Sequence, residues 1–185
     1  ERALSIRQSR LGPNHPDVAR TLADLSATLV QLGATERAQA FATRAVRIAE
    51  GLDTPNAPDL AVIFALYADL QAGRGNAAGA RDYYQRALRI LENAFGRQHP
   101  AFAEAEIGLA GALIDLNERQ TALQTANDAE ATAREHLRLM LRSLPERQAL
   151  TYAMTRPQGL DLILSLVDAT PGAAALAVDG VIKGR

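Results

Sequence analysis

The chain contains no cysteine in its 185 residues. Disulfide bonds, thiolate nucleophiles and sulfur-ligated zinc sites are therefore excluded within it. A reducing compartment is compatible with this composition, and we expect a cytoplasmic protein.

Long apolar runs are also missing, since no stretch reaches the roughly 18 to 20 continuous apolar residues of a membrane-spanning helix. The first ten residues, ERALSIRQSR, are charged and show no secretory signal. The net charge is −1, with 22% charged residues, so nothing favours a polyanion or an anionic membrane. We therefore predict neither nucleic acid nor membrane as a partner.

Lysine is scarce, because Lys183 is the only lysine among 20 basic residues, whereas alanine occurs 37 times. Alanine is the best helix former and lets neighbouring helices approach closely. The composition therefore favours a protein of packed helices.

One short segment recurs along the chain at a fixed interval. It reads LGPNHPD at Leu11–Asp17, DTPNAPD at Asp53–Asp59 and FGRQHPA at Phe95–Ala101, which places a proline every 42 residues. Periods of 20 to 50 residues indicate stacked repeats. The proline suits the first turn of a helix, where a missing N–H costs nothing, and an aspartate beside it favours the helix dipole.

Within each period, apolar residues fall at helical spacing and predict two antiparallel helices, A and B, with Gly33, Gly75 and Asn117 at the turn between them. Residues 1–10 end a helix B. After the third period the repeat is lost, and three shorter helices are predicted from Ser143 onward. The predicted A and B helices, in chain order, span 16–32, 35–51, 58–72, 76–94, 100–116 and 118–142.

The pattern resembles the tetratricopeptide repeat, in which each helix pair carries small and large residues at fixed places. Gln71 and Glu106 depart from it, because both stand where the family has a large apolar residue. The matching positions in the first copy are Leu22, Leu25, Ser26 and Leu29 in helix A, and Ala38, Phe41 or Ala42, and Ala45 in helix B.

This resemblance implies an all-α fold, a right-handed solenoid of tetratricopeptide-type helix pairs with C-terminal capping helices. We expect residues 1–135 to form the array, a half repeat plus about three repeats. Residues 136–185 would then be a helical extension leading to a downstream domain.

The 42-residue period is longer than the usual period of about 34 and looks like the kinesin-light-chain type of repeat. Those repeats often carry an asparagine pair on the cargo-facing side. Here the corresponding pairs are Ala23-Asp24, Ala65-Leu66 and Ile107-Gly108. Cargo recognition of the kinesin kind is therefore not carried over.

The tail carries a second resemblance. Residues Arg134 to Leu166 are similar to the segment that joins such repeats to a caspase-like CHAT protease domain in bacterial proteins. The cleaving His and Cys of that family lie in the downstream domain, and this chain has no cysteine. The resemblance implies an alternative function, the non-catalytic regulatory part of such a protease.

No constellation of residues supports chemistry in this chain. His15 and His99 lie in different repeats, with Ala57 in the middle copy, and we interpret both as structural. His136 lacks the second histidine of a zinc helix, and AGRGNAAG lacks the Lys-Ser/Thr of a phosphate loop. We predict no enzyme activity, no cofactor and no metal.

The resemblance implies that the chain is a protein-interaction scaffold, whose concave surface is lined by helix A. Its small apolar floor with few charges suits an apolar peptide or helix and not an acidic C-terminal peptide. The chain's own C-terminal helices, a downstream domain, or a second copy meeting the N-terminal half repeat are further expected partners. The predicted groove residues are Arg20, Ala23, Ala27, Gln31, Val62, Ala65, Asp69, Glu104, Ile107, Gly111 and Asp115.

Overall fold

The computed structural model describes residues 2–52 and 57–143, and the regular secondary structure of this part of the chain is all α-helix. The ends predicted for the A and B helices up to residue 142 each fall within one residue of the observed ends. The seven helices of these residues are α1 Arg2–Leu11, α2 Pro16–Gln31, α3 Thr35–Glu50, α4 Pro58–Gly73, α5 Ala77–Phe95, α6 Pro100–Asp115 and α7 Arg119–Ser143.

The helices pack in consecutive pairs, which confirms the all-α class. The A helices are α2, α4 and α6, and the B helices are α1, α3, α5 and α7. The predicted C-terminal capping helices fall at 144–185, outside the described residues. The predicted division after residue 135 stays a prediction, and it falls inside α7.

Each A helix begins at the repeated proline, as the sequence predicts. The histidine before it is the N-cap in two copies. The Nδ1 atom of His15 accepts a hydrogen bond from the Asp17 backbone N–H at 3.1 Å, and that of His99 accepts one from Ala101 at 3.2 Å. The structural interpretation of both histidines is confirmed, because each satisfies an amide that the helix leaves unpaired.

Each A helix ends in the same turn. The residue after the helix cap has a positive φ, +74° at Gly33, +77° at Gly75 and +61° at Asn117. The next amide reaches back across this turn, as from Ala34 N–H to the Leu29 carbonyl at 2.8 Å. Glycine and asparagine tolerate the left-handed region, so the sequence places them where the chain must reverse.

The chain divides into two compact units, Glu1–Ile90 and Leu91–Arg185. In unit 1, α2 packs on α3, and α4 packs against both of them. Leu29 of α2 inserts between Ala42 of α3 and Leu70 of α4, and all three are at most 9% exposed. The small residues of α3 let α2 and α4 approach closely enough to bury this leucine.

In unit 2, α6 packs on α7. The facing side of α7 is lined by Ala122, Ala126 and Ala129, which have no exposed surface. The large buried residues of α6 are at most 9% exposed: Phe102, Leu109 and Leu113. The small positions predicted for helix B are thus core positions in this unit too.

Candidate interaction surface

The outer stripe of the A helices is the candidate surface. In unit 1, Arg20, Gln31, Val62 and Asp69 are exposed, and Ala27 and Ala65 are half-buried. We call these six residues of α2 and α4 the A-helix face. In unit 2, α6 alone supplies the equivalent stripe, in which Glu104 and Asp115 are exposed and Ile107 and Gly111 are half-buried.

Ala23 departs from its predicted place, because it is only 4% exposed. An exposed stripe on a helix follows spacings of three and four residues. From Arg20 that spacing leads to Asp24, Ala27 and Gln31, and Asp24 is exposed. Ala23 therefore contributes to the core, and Asp24 is the surface residue that the repeat alignment missed.

Two apolar side chains stand out on α2 and α4. Val62 is 63% exposed and Val30 is 43% exposed. Ala65 lies three residues after Val62 and is only half-buried. The surface of α4 therefore offers apolar area without bulk, which favours contact with another chain.

Gly111 of α6 makes a notch in the corresponding stripe of unit 2. A Cβ placed on it would meet no atom within 4 Å. A mid-helix glycine costs about 1 kcal/mol relative to alanine. Close helix packing does not explain Gly111, because the space above it is open.

Both charged residues of the A-helix face, Arg20 and Asp69, make contacts within unit 1. Arg20 Nη1 lies 3.1 Å from Asp59 Oδ1, so a guanidinium of α2 pairs with a carboxylate of α4. The Tyr84 hydroxyl of α5 donates a hydrogen bond to Asp69. Tyr84 is 4% exposed, so a buried donor holds one oxygen of Asp69 in place.

Burial affects the pKa values of both partners in this bond. Desolvation raises the pKa of Asp69, and the hydrogen bond from Tyr84 partly offsets that rise. Burial and the neighbouring carboxylate also raise the pKa of Tyr84, so its hydroxyl keeps the proton that it donates. Asp69 as a residue remains exposed, and its Oδ1 atom accepts the hydrogen bond from Tyr84.

A cleft of about 250 Å³ lies between α1 and α2. Arg7 projects into it, and its Nη1 donates to Thr21 Oγ1 at 2.5 Å and to the Asp17 carbonyl at 3.3 Å. The repeat pattern did not reveal this cleft, because Arg7 and Thr21 stand where the next repeat has Ala49 and Ile63. Its lining residues are Ala3, Arg7, Thr21, Asp24, Leu25 and Thr28.

Both tyrosines of the α5 pair, Tyr83 and Tyr84, contact residues of α4. Tyr83 contacts α4, with its ring centroid 5.9 Å from that of Phe64 and 4.7 Å from that of Tyr67. Arg86 lies over the same group, 4.3 Å from the Phe64 ring and 2.7 Å from Glu50 Oε1. The aromatic rings are therefore covered from within unit 1.

Glu106 of α6 is the one buried acid that departs from the family pattern. It is 8% exposed, and its Oε2 atom has no hydrogen-bond partner among the described residues. Burial, followed by the charge of Asp128, raises the pKa of Glu106 to about 7, with Arg97 opposing and Glu92 reinforcing the rise. This carboxyl is therefore held close to its titration point at neutral pH.

Within residues 2–52 and 57–143, no group of three or more histidine, aspartate or glutamate side chains could hold a metal ion. None of the helices in these ranges is both long enough and apolar enough to cross a membrane.

Two sequence models of the tetratricopeptide repeat match the chain, one over residues 1–51 and one over residues 72–101. Both describe a module that is typically non-catalytic, and no catalytic family is detected. No curated protein matches the chain in sequence.

Among solved structures, the chain is similar to the crystal structure of BtubC (BKLC) from P. vanneervenii, a kinesin-light-chain-like protein of tetratricopeptide repeats. The TM-score is 0.70 at 17% identity, over 92% of this chain. The chain spans 65% of the length of that protein. At this identity the likeness concerns the fold alone. The tetratricopeptide repeat, which the two sequence models match at residues 1–51 and 72–101, is a general protein-interaction module.

Proposed function

We propose that the A-helix face binds a peptide or helix of a partner protein, and that the chain itself is a non-catalytic scaffold. The observation that carries the proposal is the exposure of Val62, 63% on a helix whose other large apolar residues are largely buried. Exposed apolar area of this kind is favourable to bury against a partner, at about 25 cal/mol per Å².

The small residues beside Val62 support the same mode of binding. Ala27 and Ala65 are half-buried and rise little above the helix backbone. An incoming helix or extended segment can then approach closely, as α2 approaches the alanines of α3 in the core. In unit 2 the open space above Gly111 gives α6 the same property.

The test is a selection of random peptides displayed on phage, followed by measurement of their affinity for the whole chain. Ala65→Arg places a long side chain on the A-helix face and should weaken the selected peptides at least tenfold. Ala40→Arg is the matched control, because Ala40 is exposed on helix α3 and lies outside the face. If both variants bind the peptides equally well, the A-helix face is not the binding site.

The alternative function is the regulatory part of a caspase-like CHAT protease of bacterial origin. Its support is the sequence resemblance of Arg134–Leu166, of which only the portion through Ser143, in α7, is described. A protease domain encoded after Arg185 with a His and a Cys would support it. A stop codon there would contradict it.

The remaining predicted partners are the chain's own C-terminal helices, a downstream domain and a second copy of the chain at its N-terminal end. The first falls on residues 144–185, outside the described part. A cytoplasmic location remains part of the same proposal.

A further inference from the structure

The net charge of −1 conceals a strong separation of charge between the two kinds of helix. The A helices α2, α4 and α6 together carry seven carboxylates and a single guanidinium, that of Arg20. The B helices α1, α3, α5 and α7 carry thirteen arginines and seven carboxylates. The surfaces formed by A helices are therefore acidic although the chain as a whole is almost neutral.

In unit 1, pairing leaves an acidic excess on α2 and α4. Arg20 is matched by Asp59 at 3.1 Å. Asp24 and Asp69 are exposed and make no ion pair with any other described residue. Arg7, the basic group of the cleft that Asp24 borders, donates to Thr21 and to the Asp17 carbonyl.

Asp69 is the carboxylate that the fold positions most firmly. Its Oδ1 accepts the hydrogen bond from the buried Tyr84 hydroxyl, so the side chain does not need to be ordered when a partner arrives. Ordering a side chain at an interface costs roughly 0.5 to 1.5 kcal/mol, and this cost is already met. Asp69 lies four residues, about one helical turn, after Ala65 on the same stripe as Val62.

We propose that the partner segment is basic and amphipathic: its apolar residues cover Val62 and Ala65, and an arginine or lysine pairs with Asp69. This proposal rests on the proposed function, because it names the chemistry of the partner at that same face. The uncovered carboxylates of α2 and α4 give the charge complementarity that selects such a segment.

Charge of this kind discriminates between partners as well as attracting one. An acidic segment on the A-helix face would meet the carboxylate of Asp69, whereas the guanidinium of that face, on Arg20, is already paired with Asp59. Asp24, exposed on α2 beside the face, adds a second negative charge. Like charges brought together at an interface are strongly unfavourable. The face therefore rejects acidic peptides and accepts basic ones of equal apolar content.

The experiment uses the phage-selected peptides that bind Ala65→Arg at least tenfold more weakly than the wild type. We expect each to carry an arginine or lysine, and its replacement by glutamine to weaken binding about tenfold, which corresponds to about 1.4 kcal/mol. Asp69→Asn should produce the same loss, and a peptide already changed to glutamine should lose nothing more. Asparagine keeps an oxygen that can accept from Tyr84, so the variant removes the charge and retains the hydrogen bond.

The matched control is Asp82→Asn, which removes an exposed carboxylate of α5 that lies 3.4 Å from Arg81. It should leave the affinity unchanged. Raising the salt concentration should lower the peptide affinity of the wild type more than that of Asp69→Asn, because salt screens the charge pair that the variant lacks.

The two proposals fail in different ways. Suppose that the peptides weakened by Ala65→Arg carry no basic residue, or bind Asp69→Asn as well as they bind the wild type. Either result would overturn the basic-partner proposal and leave the A-helix face as the site. Peptides that Ala65→Arg does not displace would overturn the site itself.

Discussion

The second and third repeats use the same backbone positions for opposite chemistry. In unit 1, Arg86 pairs with Glu50 at 2.7 Å and lies 4.3 Å above the Phe64 ring, which is 3% exposed. Forty-two residues later, in unit 2, these three positions hold Asp128, Glu92 and Glu106. A cation between an anion and an aromatic ring is thus replaced by three carboxyls.

The difference shows how a repeat can keep its fold while losing a pairing. Helices α6 and α7 still pack through their alanines and leucines, so backbone geometry does not depend on the ion pair. The consequence appears in protonation, because the pKa of Glu106 is raised to about 7. The three-carboxyl group of the third repeat therefore responds to pH near neutrality through Glu106.

The largest expected effect is from Phe64→Ala, which removes the ring that contacts Tyr83 and Arg86. A buried phenylalanine truncated to alanine costs about 3 to 5 kcal/mol. Urea unfolding followed by circular dichroism should show this loss. Glu106→Ala is the counterpart in unit 2, and at pH 8 it should cost far less, since it also removes a buried charge. Equal losses would contradict the comparison.

A smaller effect is expected from pH itself. The unfolded chain releases the Glu106 proton near 4.5, the ordinary pKa, and the folded chain holds it until about 7. The folded state therefore binds more protons in that interval, and the free energy of unfolding falls as pH rises from 4.5 to 7. We expect a fall of about 2 kcal/mol, less than the full shift implies because solvent screens part of it.

Glu106→Gln isolates this contribution from that of the other carboxyls. The variant should match the wild type at pH 4.5 and exceed its stability by about 2 kcal/mol at pH 8. The measurement is the unfolding free energy of both proteins at several pH values. Two parallel pH profiles would show that Glu106 does not titrate in the folded state at this pKa.

The smallest effect is expected from Asp128→Arg, which places a guanidinium where α5 has Arg86. The new arginine should pair with Glu92 and relieve the repulsion on Glu106, which should raise the free energy of unfolding by about 1 kcal/mol at pH 7. Adding Glu92→Gln to this variant should remove most of that increase. Arg86→Asp is the mirror change in unit 1 and should lose a similar amount. A stabilising Arg86→Asp would show that the ion pair does not matter.

The fold was predictable because its signals are local and repeated. Pro16, Gly33 and Pro58 mark helix starts and stops by backbone preference alone, and three copies agree in phase. The departure at Gln71 was also visible in the sequence, but its reason was not. Its Oε1 accepts from Asn76 Nδ2 at 2.8 Å, so the amide stabilises the turn between α4 and α5.

The candidate surface was less predictable, because alignment to a repeat fixes a position only to within a residue. Ala23 and Asp24 are neighbours in sequence, and rotation about the helix axis alone decides that the first is buried and the second exposed. The contact between Tyr84 and Asp69 joins two helices, and residue spacing contains no sign of it. The charge separation required both pieces of information, the helix assignment and the residue types.

The paired signals at each turn also bear on how such a gene changes over time. Every 42-residue period contains its own start, a proline, and its own reversal, a residue with positive φ. Recombination that deletes or duplicates one whole period joins a complete helix pair to another complete helix pair. Recombination out of register by one residue would instead change the spacing between the proline that starts a helix and the residues that this helix buries. The number of repeats can therefore change during evolution while each repeat keeps its proline at the helix start and its positive-φ residue at the turn.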